Sequence, residues 1–455
     1  MSVRPSRRTA AVIGGVAAAL LLAACGSSSS GGDSSASATN TDPACADYAA
    51  YGSHPNTTVT VFTSILPPEQ QKFESAWAQF EKCTGIKVKY EGSDQFEAQL
   101  PTRIAGGNAP DIAFIPQPGL LSKLVSQGGP KAAPDGVSAN MDKWNAQWKA
   151  YGTVDGTFYA APLGSNMKSL VWYSPKVFTA KGYKVPTTWA EMMTLSDKMA
   201  SDGMKPWCGG IESGGATGWP ATDWLEQVVL GTQGGDVYDQ WIAHTVKFDS
   251  PQITKAMDTV AGWMKNPKYV NAGFGDVKTI ATTAFQDAGK PILTGKCGML
   301  QQASFYAAQW PSFKKDAVIS DSGDVFAFYL PQQSDSVPTP IVGGGEFVTA
   351  FSDKSEVQAF QTYLSSSLFA SNKVKLGGWV SANSGVDLSL YQDPISKLSA
   401  EYLTKSDATF RFDASDLMPA AVGAGAEWKQ LTAWFATDQS TQTTLQNIDA
   451  AWPSS

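Results

Sequence analysis

A chain of 455 residues with 43% apolar and 16% charged residues is long enough for two domains and too apolar for a disordered protein. Its net charge of −7 argues against nucleic-acid binding, which needs a basic surface. The two histidines, His54 and His244, lie far apart and lack the spacing of a zinc site, so we expect no metal and no cofactor.

Residues 1–24 have the features of an export signal. Three arginines precede an apolar run that is too short to span a membrane comfortably. The run ends in the letters LAACG, which resemble the lipobox of bacterial lipoproteins. That resemblance implies that Cys25 becomes the lipidated N-terminus; the alternative is an ordinary signal peptide with a fortuitous cysteine. Cleavage of residues 1–24, which hold these three arginines and no acidic residue, would change the net charge from −7 to −10.

Residues 25–56 follow as the lipidated cysteine and a tether. The first part of this segment is rich in Ser and Gly and has nothing to bury, which is typical of a flexible linker. A lipid, a linker and then a folded body predict a protein held at the outer face of the bacterial cytoplasmic membrane.

Four further cysteines predict two disulfides, because the number is even and the chain is exported. They are Cys45, Cys83, Cys208 and Cys297, and three pairings are possible. We favour the pairing that joins sequence neighbours, Cys45 with Cys83 and Cys208 with Cys297. No CxxC pair is present, which disfavours a redox or metal role.

Strands and helices alternate after residue 57. The predicted strands are Thr58–Phe62, Lys87–Tyr90 and Asp111–Ile115, and the predicted helices are Pro68–Cys83, Gln95–Ala105 and a helix near Leu120–Val125. This order indicates an α/β fold with a parallel sheet, whose ligands bind beyond the carboxyl ends of the strands. Asp94 and Gln117 lie at such ends and are therefore candidate ligand-binding residues, although either could cap a helix or turn.

A helix start is predicted at the letters PTTWAEM, with Thr187 as N-cap and Glu191 in the first turn. The stretch Lys205–Trp224 follows and holds five glycines, three tryptophans and two carboxylates. Trp219, between a glycine and a proline, is predicted to stay in a loop and to stack on a polyhydroxylated ring. Trp224 begins a helix and is expected in the core.

Glu212 and Asp223, in the same stretch, are predicted to accept hydrogen bonds from ligand hydroxyls. They are also a possible carboxylate pair for glycoside hydrolysis. A membrane-tethered extracellular glycoside hydrolase is thus the alternative function.

Segments throughout the chain after residue 57 resemble the extracellular solute-binding proteins of ABC sugar importers, a maltose-binding-protein-like family. The resemblance rests on VTVFTS, KCTGIKVKYEGSDQFEAQL, GGNAPDIAFIPQPG and PLGSNMKSLVWYSPKVF. The segments GIESGGATGWPATDWLEQ and RFDASDLMPAAVGAG most resemble the α-glucoside-binding branch.

That resemblance implies two α/β lobes with a ligand cleft between them. Lobe one would hold residues 57–165 and 331–372, and lobe two residues 166–330 and 373–455. It further implies a monomer that is not an enzyme, an oligosaccharide ligand such as maltose, trehalose or sucrose, and an ABC permease as partner.

Four more residues complete the predicted ligand-binding set. Asn166 lies near the first crossing between lobes, Trp379 follows two glycines, and Phe305 could line the cleft or pack within a helix. Arg411 could donate to a ligand or form an internal ion pair with Asp413 or Asp416. The full set is Asp94, Gln117, Asn166, Glu212, Trp219, Asp223, Phe305, Trp379 and Arg411.

Overall fold

The computed structural model describes residues 42–144, 146–271, 274–403, 405 and 407–453. Cys25 and the predicted signal peptide lie outside the described residues, so both stay predictions. Within the described ranges, no helix combines the length and the apolar character that crossing a bilayer would need.

The strands of the described part are short, and most are buried. They are β1 (Thr58–Thr63), β2 (Lys87–Gly92), β3 (Ile112–Ile115), β4 (Thr153–Val154), β5 (Thr157–Phe158), β6 (Ala160–Pro162), β7 (Asn166–Met167), β8 (Leu170–Tyr173), β9 (Lys205–Trp207), β10 (Cys297–Gln301), β11 (Phe326–Tyr329), β12 (Pro340–Gly344), β13 (Phe347–Ala350) and β14 (Thr409–Phe412).

The α-helices of the described part lie between and after these strands. They are α1 (Glu69–Thr84), α2 (Phe96–Ala105), α3 (Pro118–Ser126), α4 (Asp135–Ala139), α5 (Ala146–Tyr151), α6 (Pro175–Lys181), α7 (Trp189–Ser201), α8 (Trp219–Ile242), α9 (Pro251–Met264), α10 (Trp310–Phe313), α11 (Ser355–Leu364), α12 (Ser367–Val374), α13 (Pro394–Leu403), α14 (Ala414–Leu417), α15 (Trp428–Ala436) and α16 (Thr441–Asp449).

Two main sheets organise the molecule. The first has the order β2-β1-β3-β13-β6, in which β1 pairs in parallel with β2 and β3, while β13 runs antiparallel to its neighbours. The second has the order β11-β8-β10-β9. A third sheet, β14-β12-β7, is formed where the chain passes between the other two, because β7 follows β6 and precedes β8. This confirms the predicted α/β class.

Each main sheet is covered on both faces. In β1, Val59 and Val61 pack into one hydrophobic cluster with Phe73 of α1, and Phe62 points into a different cluster with Phe96. This alternation follows from the period of two in a strand. In α1 the residues buried at spacings of three and four, among them Phe73, form the predicted apolar face.

Both predicted disulfides are present. Cys45 is bonded to Cys83 and Cys208 is bonded to Cys297. The first bond ties the segment before β1 to the end of α1, and the second joins β10 to the residue that comes after β9.

The predicted tether is too long at its C-terminal end. Residues Pro43–Tyr51 form a 3-10 helix in which Cys45 and Tyr48 are buried. Both residues belong to the hydrophobic cluster of α1. The folded body therefore already includes the helix that starts at Pro43, rather than beginning at residue 57.

Two local predictions were wrong. The N-cap of α7 is Thr188, whose hydroxyl accepts from the Glu191 amide at 3.2 Å, and not Thr187. Thr187 instead donates its amide and its hydroxyl to the Glu191 carboxylate at 2.8 Å. Trp219 is not in a loop, because it is the first residue of α8, where the proline that comes after it suits a helix start.

Packing does not follow the predicted lobe boundary at residue 372. Val374, Trp379 and Val380 lie in the same hydrophobic cluster as Phe73. We therefore propose that the first lobe continues at least to Val380; the other predicted boundaries stay predictions.

Candidate ligand-binding cleft

A cavity of about 250 Å³ lies at the carboxyl ends of β1, β2 and β3. Ser64, Asp94 and Gln117, which come after these three strands, line one wall. Glu212 and Trp219, which come after β9, line the facing wall. The parallel strands place their carboxyl ends at one sheet edge, so the position agrees with the rule for ligand sites in α/β folds.

Seven of the nine predicted site residues line this cavity, and two do not. The seven are Asp94, Gln117, Asn166, Glu212, Trp219, Phe305 and Trp379. Asp223 and Arg411 are engaged elsewhere. As expected, Trp224 is buried in the core, where its ring meets Phe435 edge-on at 5.5 Å.

Aromatic rings stand on both sides of the cavity. Trp219 is half-buried and held by Phe285 and Phe305, with ring centroids at 5.0 and 5.9 Å. On the opposite side, Trp379 contacts Phe73 edge-on at 6.4 Å. These neighbours fix both indole rings before a ligand arrives, but Trp379 is 6% exposed and lies largely in the core, whereas Trp219 is the more accessible ring.

Asp223 belongs to a buried ion cluster beneath the cavity. The Lys168 ammonium donates to Asp223 at 2.7 Å and also bonds Asp413. Burial lowers the pKa of Lys168, but the surrounding carboxylates, Asp223 first, outweigh it and raise that pKa above its ordinary value. Burial raises the pKa of Asp223 to about 7, against the pull of Lys168. The predicted role of Asp223 as an acceptor for ligand hydroxyls is therefore wrong, because its carboxylate is buried and paired with Lys168.

The same cluster bears on whether the site could bind a metal ion and whether it could hydrolyse a glycoside. Among the described residues, Asp223, Glu226 and Asp413 are close enough to share a metal ion, but the Lys168 ammonium already bonds two of them. Only Glu212 of the predicted hydrolase pair lines the cavity, since Asp223 is 1% exposed and ion-paired. The carboxylate pair that glycoside hydrolysis would need is therefore not formed by these two residues.

Arg411 lies outside the cavity and pairs with a different acid from those we had predicted. Its guanidinium donates to both carboxylate oxygens of Asp239, at 2.7 and 2.9 Å. Such a two-point pair fixes the side chain and connects β14 to α8. Asp413 and Asp416 are instead part of the cleft wall.

A second charged group supports Trp379 from behind. The Lys373 ammonium is fully buried, lies over the Phe73 and Trp379 rings at 4.3 and 5.3 Å, and has no hydrogen-bond partner among the described atoms. Burial lowers its pKa to about 7, against the attraction of Glu69 and Glu346. Both of these carboxylates line the cavity, and burial raises the pKa of each.

Four polar atoms of the cavity-lining residues are buried and have no hydrogen-bond partner among the described atoms. They are the oxygens Gln117 Oε1, Ser165 Oγ and Asn166 Oδ1, and the indole nitrogen Trp428 Nε1. A buried acceptor without a donor is unfavourable by about 1–3 kcal/mol. Hydroxyl or ammonium hydrogens of a ligand would satisfy the three oxygens, and a hydroxyl oxygen could accept from Trp428 Nε1. That is the chemistry for which the cavity is suited.

The two walls touch at the mouth of the cavity. The Gly215 amide donates to the Asp94 carbonyl at 2.9 Å. On another side Gly119 of α3 lies so close to the segment after α14 that an added Cβ would be 1.9 Å from the Met418 carbonyl oxygen. Glycine is required there because only a missing side chain allows the two backbones to approach.

Comparison with known proteins decides the family. Residues 66–367 match the family described as bacterial extracellular solute-binding protein. The chain belongs to this family. Its members are two-lobe proteins with the ligand cleft between the lobes, which is the predicted fold, and the related proteins are receptors and not enzymes.

Two relatives align with nearly the whole of this solute-binding protein. The osmoprotective compounds-binding protein of Synechocystis sp. is 36% identical over 416 residues, covering 90% of this chain and 96% of the relative. The alpha-glucosides-binding periplasmic protein of Rhizobium meliloti is 33% identical over 411 residues, covering 87% of each.

The fold itself matches a bacterial solute receptor described as having an exclusive preference for β-D-galactopyranose. The two superpose with a TM-score of 0.72 at 20% identity, over 87% of this chain and 98% of the receptor. At this identity the likeness concerns the fold alone.

Several lining residues of this solute-binding protein were not found from the sequence. They are Glu69, Phe73, Glu97, Lys168, Phe285, Glu346, Asp413, Asp416 and Trp428 among others. One signal was available, because Glu346 and Lys168 stand at the segments that cross between sheets, where a cleft residue is expected. Phe73 and Trp428 follow the pattern of core helix residues and gave no such signal.

Proposed function

We propose that this chain is the substrate-binding protein of an ABC-type sugar importer. It captures an oligosaccharide outside the cell, and an α-glucoside disaccharide such as maltose, trehalose or sucrose is the proposed ligand. The single observation that carries the proposal is one cavity in which two fixed tryptophan rings, Trp219 and Trp379, stand among unsatisfied acceptors. Apolar ring faces and acceptors are what a polyhydroxylated ring needs on its faces and its edges.

The relatives support this ligand class. One is named for α-glucosides and the other for osmoprotective compounds, and both align with nearly all of this chain. We propose that the seven predicted residues that line the cavity bind the ligand, with the two tryptophans as apolar platforms. The contacts at the mouth, such as Gly215 with Asp94, would be made on closure and favour the ligand-bound arrangement.

Export and delivery complete the proposal. Residues 1–24 would be removed as a signal peptide, Cys25 would carry the lipid, and the Ser- and Gly-rich residues before Pro43 would serve as the tether. The protein would then act as a monomer at the outer face of the cytoplasmic membrane and deliver sugar to its permease.

Calorimetric titration of the purified protein with maltose, trehalose and sucrose tests the proposal. We expect saturable heat with one sugar per chain for at least one of them. Absence of heat with all saccharides would refute the ligand class. Release of glucose, followed in a coupled assay, would favour the hydrolase instead.

A further inference from the structure

The cleft contains far more acidic than basic side chains. The one basic side chain among its described lining residues is Lys168, which is already ion-paired with Asp223 and Asp413. Lys373 lies behind the wall. The lining carboxylates number seven and are Glu69, Asp94, Glu97, Glu212, Glu346, Asp413 and Asp416.

Four of these carboxylates lack a donor. In the ranges that the structure describes, no other residue donates a hydrogen bond to the side chains of Glu69, Asp94, Glu346 or Asp416. Glu212 accepts one hydrogen bond, from the Gly214 amide at 2.8 Å. A neutral sugar could satisfy such acceptors with its hydroxyls, but it would supply no positive charge to balance those carboxyl groups that ionise.

A buried amide beside one of these carboxylates has an oxygen that lacks a donor. Gln117 is 4% exposed, and its Nε2 donates to the Glu97 carboxylate at 3.1 Å. This bond fixes the orientation of the amide, because a reversed amide would place its oxygen against a carboxylate. Gln117 Oε1 is thereby left as a buried acceptor in the cavity wall without a donor.

Glu97 and Asp416 face this region without a cation of their own. Burial raises the pKa of Glu97, and only neutral groups oppose the change. Burial raises the pKa of Asp416 as well, with further repulsion from Asp413 and from Glu97 that Lys168 does not offset. By contrast, the other pair, Glu69 and Glu346, has the Lys373 ammonium nearby.

We propose that the ligand is a saccharide that bears an ammonium group, bound between Glu97, Asp416 and Gln117 Oε1. The proposal rests on the proposed sugar-binding function and narrows its substrate class. An ammonium group has three donors and no acceptor, which matches two carboxylates and one carbonyl oxygen. A hydroxyl has a single donor and would satisfy only one of the three.

The test is a calorimetric comparison of matched ligands. Maltose, trehalose and sucrose are each titrated beside monoamino derivatives in which one hydroxyl is replaced by an amine. We expect at least one amino derivative to bind about ten-fold more tightly than its parent, which corresponds to about 1.4 kcal/mol. Equal or weaker binding of every derivative, with the parent sugars bound, overturns this inference and leaves the proposed function intact.

Substitutions of the two carboxylates test where the ammonium group binds. Glu97→Gln should reduce the ratio of amino-sugar to sugar affinity toward one, and Asp258→Asn, an exposed charge on α9, should leave that ratio unchanged. Thermal unfolding checks that Glu97→Gln is folded, and Asp416→Asn is the second variant if it is not. A ratio that survives both substitutions overturns the proposed position.

Two further outcomes are decisive. Failure of every sugar and every amino sugar to bind refutes both this inference and the proposed function. Choline that binds as tightly as the amino sugars would overturn the saccharide part, because it has the charge without the sugar.

Discussion

Replacing Gly119 by alanine should prevent full closure of the cleft while leaving the fold intact. Gly119 is the second residue of α3, and the added Cβ would lie 1.9 Å from the Met418 carbonyl oxygen and 3.3 Å from that of Asp416. Real Cβ contacts stay above 3.0 Å, so the two backbones would have to separate by at least 1.1 Å. Because the obstacle is backbone and not a flexible side chain, no rotamer change relieves it.

The expected cost in affinity depends on the contacts that closure supplies. Hydrogen bonds of about 0.5–1.5 kcal/mol each are lost when the far wall retreats. Loss of two such bonds weakens ligand binding by about 1–3 kcal/mol, or roughly 5- to 150-fold. The free energy of unfolding should stay the same or increase, since alanine favours a helix over glycine by about 1 kcal/mol.

Calorimetry with the best-bound sugar measures the affinity, and urea unfolding measures the stability. Gly262→Ala is the matched control, because Gly262 lies within α9 and an added Cβ meets no atom within 4 Å. Small-angle scattering with ligand should show Gly119→Ala as more open than wild type. Wild-type affinity in Gly119→Ala would refute the role of this contact in closure.

Three further predictions concern the cleft and its support. Trp219→Ala should weaken sugar binding by about 1 kcal/mol. The control is Trp452→Ala, which should leave binding unchanged because the Trp452 ring stacks on a histidine at 3.9 Å outside the cleft. Equal losses of affinity in calorimetry would contradict a platform role for Trp219. Burial lowers the pKa of Lys373 from 10.5 to about 7. Between pH 7 and 10.5 the unfolded chain therefore binds a proton that the folded chain does not, and the free energy of unfolding of wild type should rise with pH by up to about 1.4 kcal/mol per pH unit relative to Lys373→Met. Urea unfolding curves of the two proteins that respond identically to pH would contradict this. Replacing both Cys208 and Cys297 by alanine opens a link across 89 residues and should lower the free energy of unfolding by about 2–5 kcal/mol, and an unchanged urea midpoint would show that the bond does not form.

The first α/β unit could be predicted well because its signals are local. The period of two in β1 and the spacing of three and four in α1 depend only on neighbouring residues. Asp94 and Gln117 reach the cavity because strand ends meet at one sheet edge, which the order of elements already implies.

The interior of the site could not be predicted in the same way. The Lys168 cluster joins residues separated by 55 and 245 positions, and no local pattern contains such a pairing. For this reason the sequence alone favours Asp223 as a ligand acceptor, although tertiary contacts pair it with Lys168. The error at Trp219 has a local cause. The proline after it is a known signal of a helix start, and our prediction of a loop overlooked it.

The most direct test of this binding site is a titration of the best-bound disaccharide into wild type and into the Trp219→Ala/Trp379→Ala double variant. We predict saturable heat with one site per chain for wild type, and at least a ten-fold weaker affinity, about 1.4 kcal/mol, for a double variant that still unfolds cooperatively. Equal affinity of the two proteins would contradict the proposed site, because the sugar would then bind elsewhere than in this cleft.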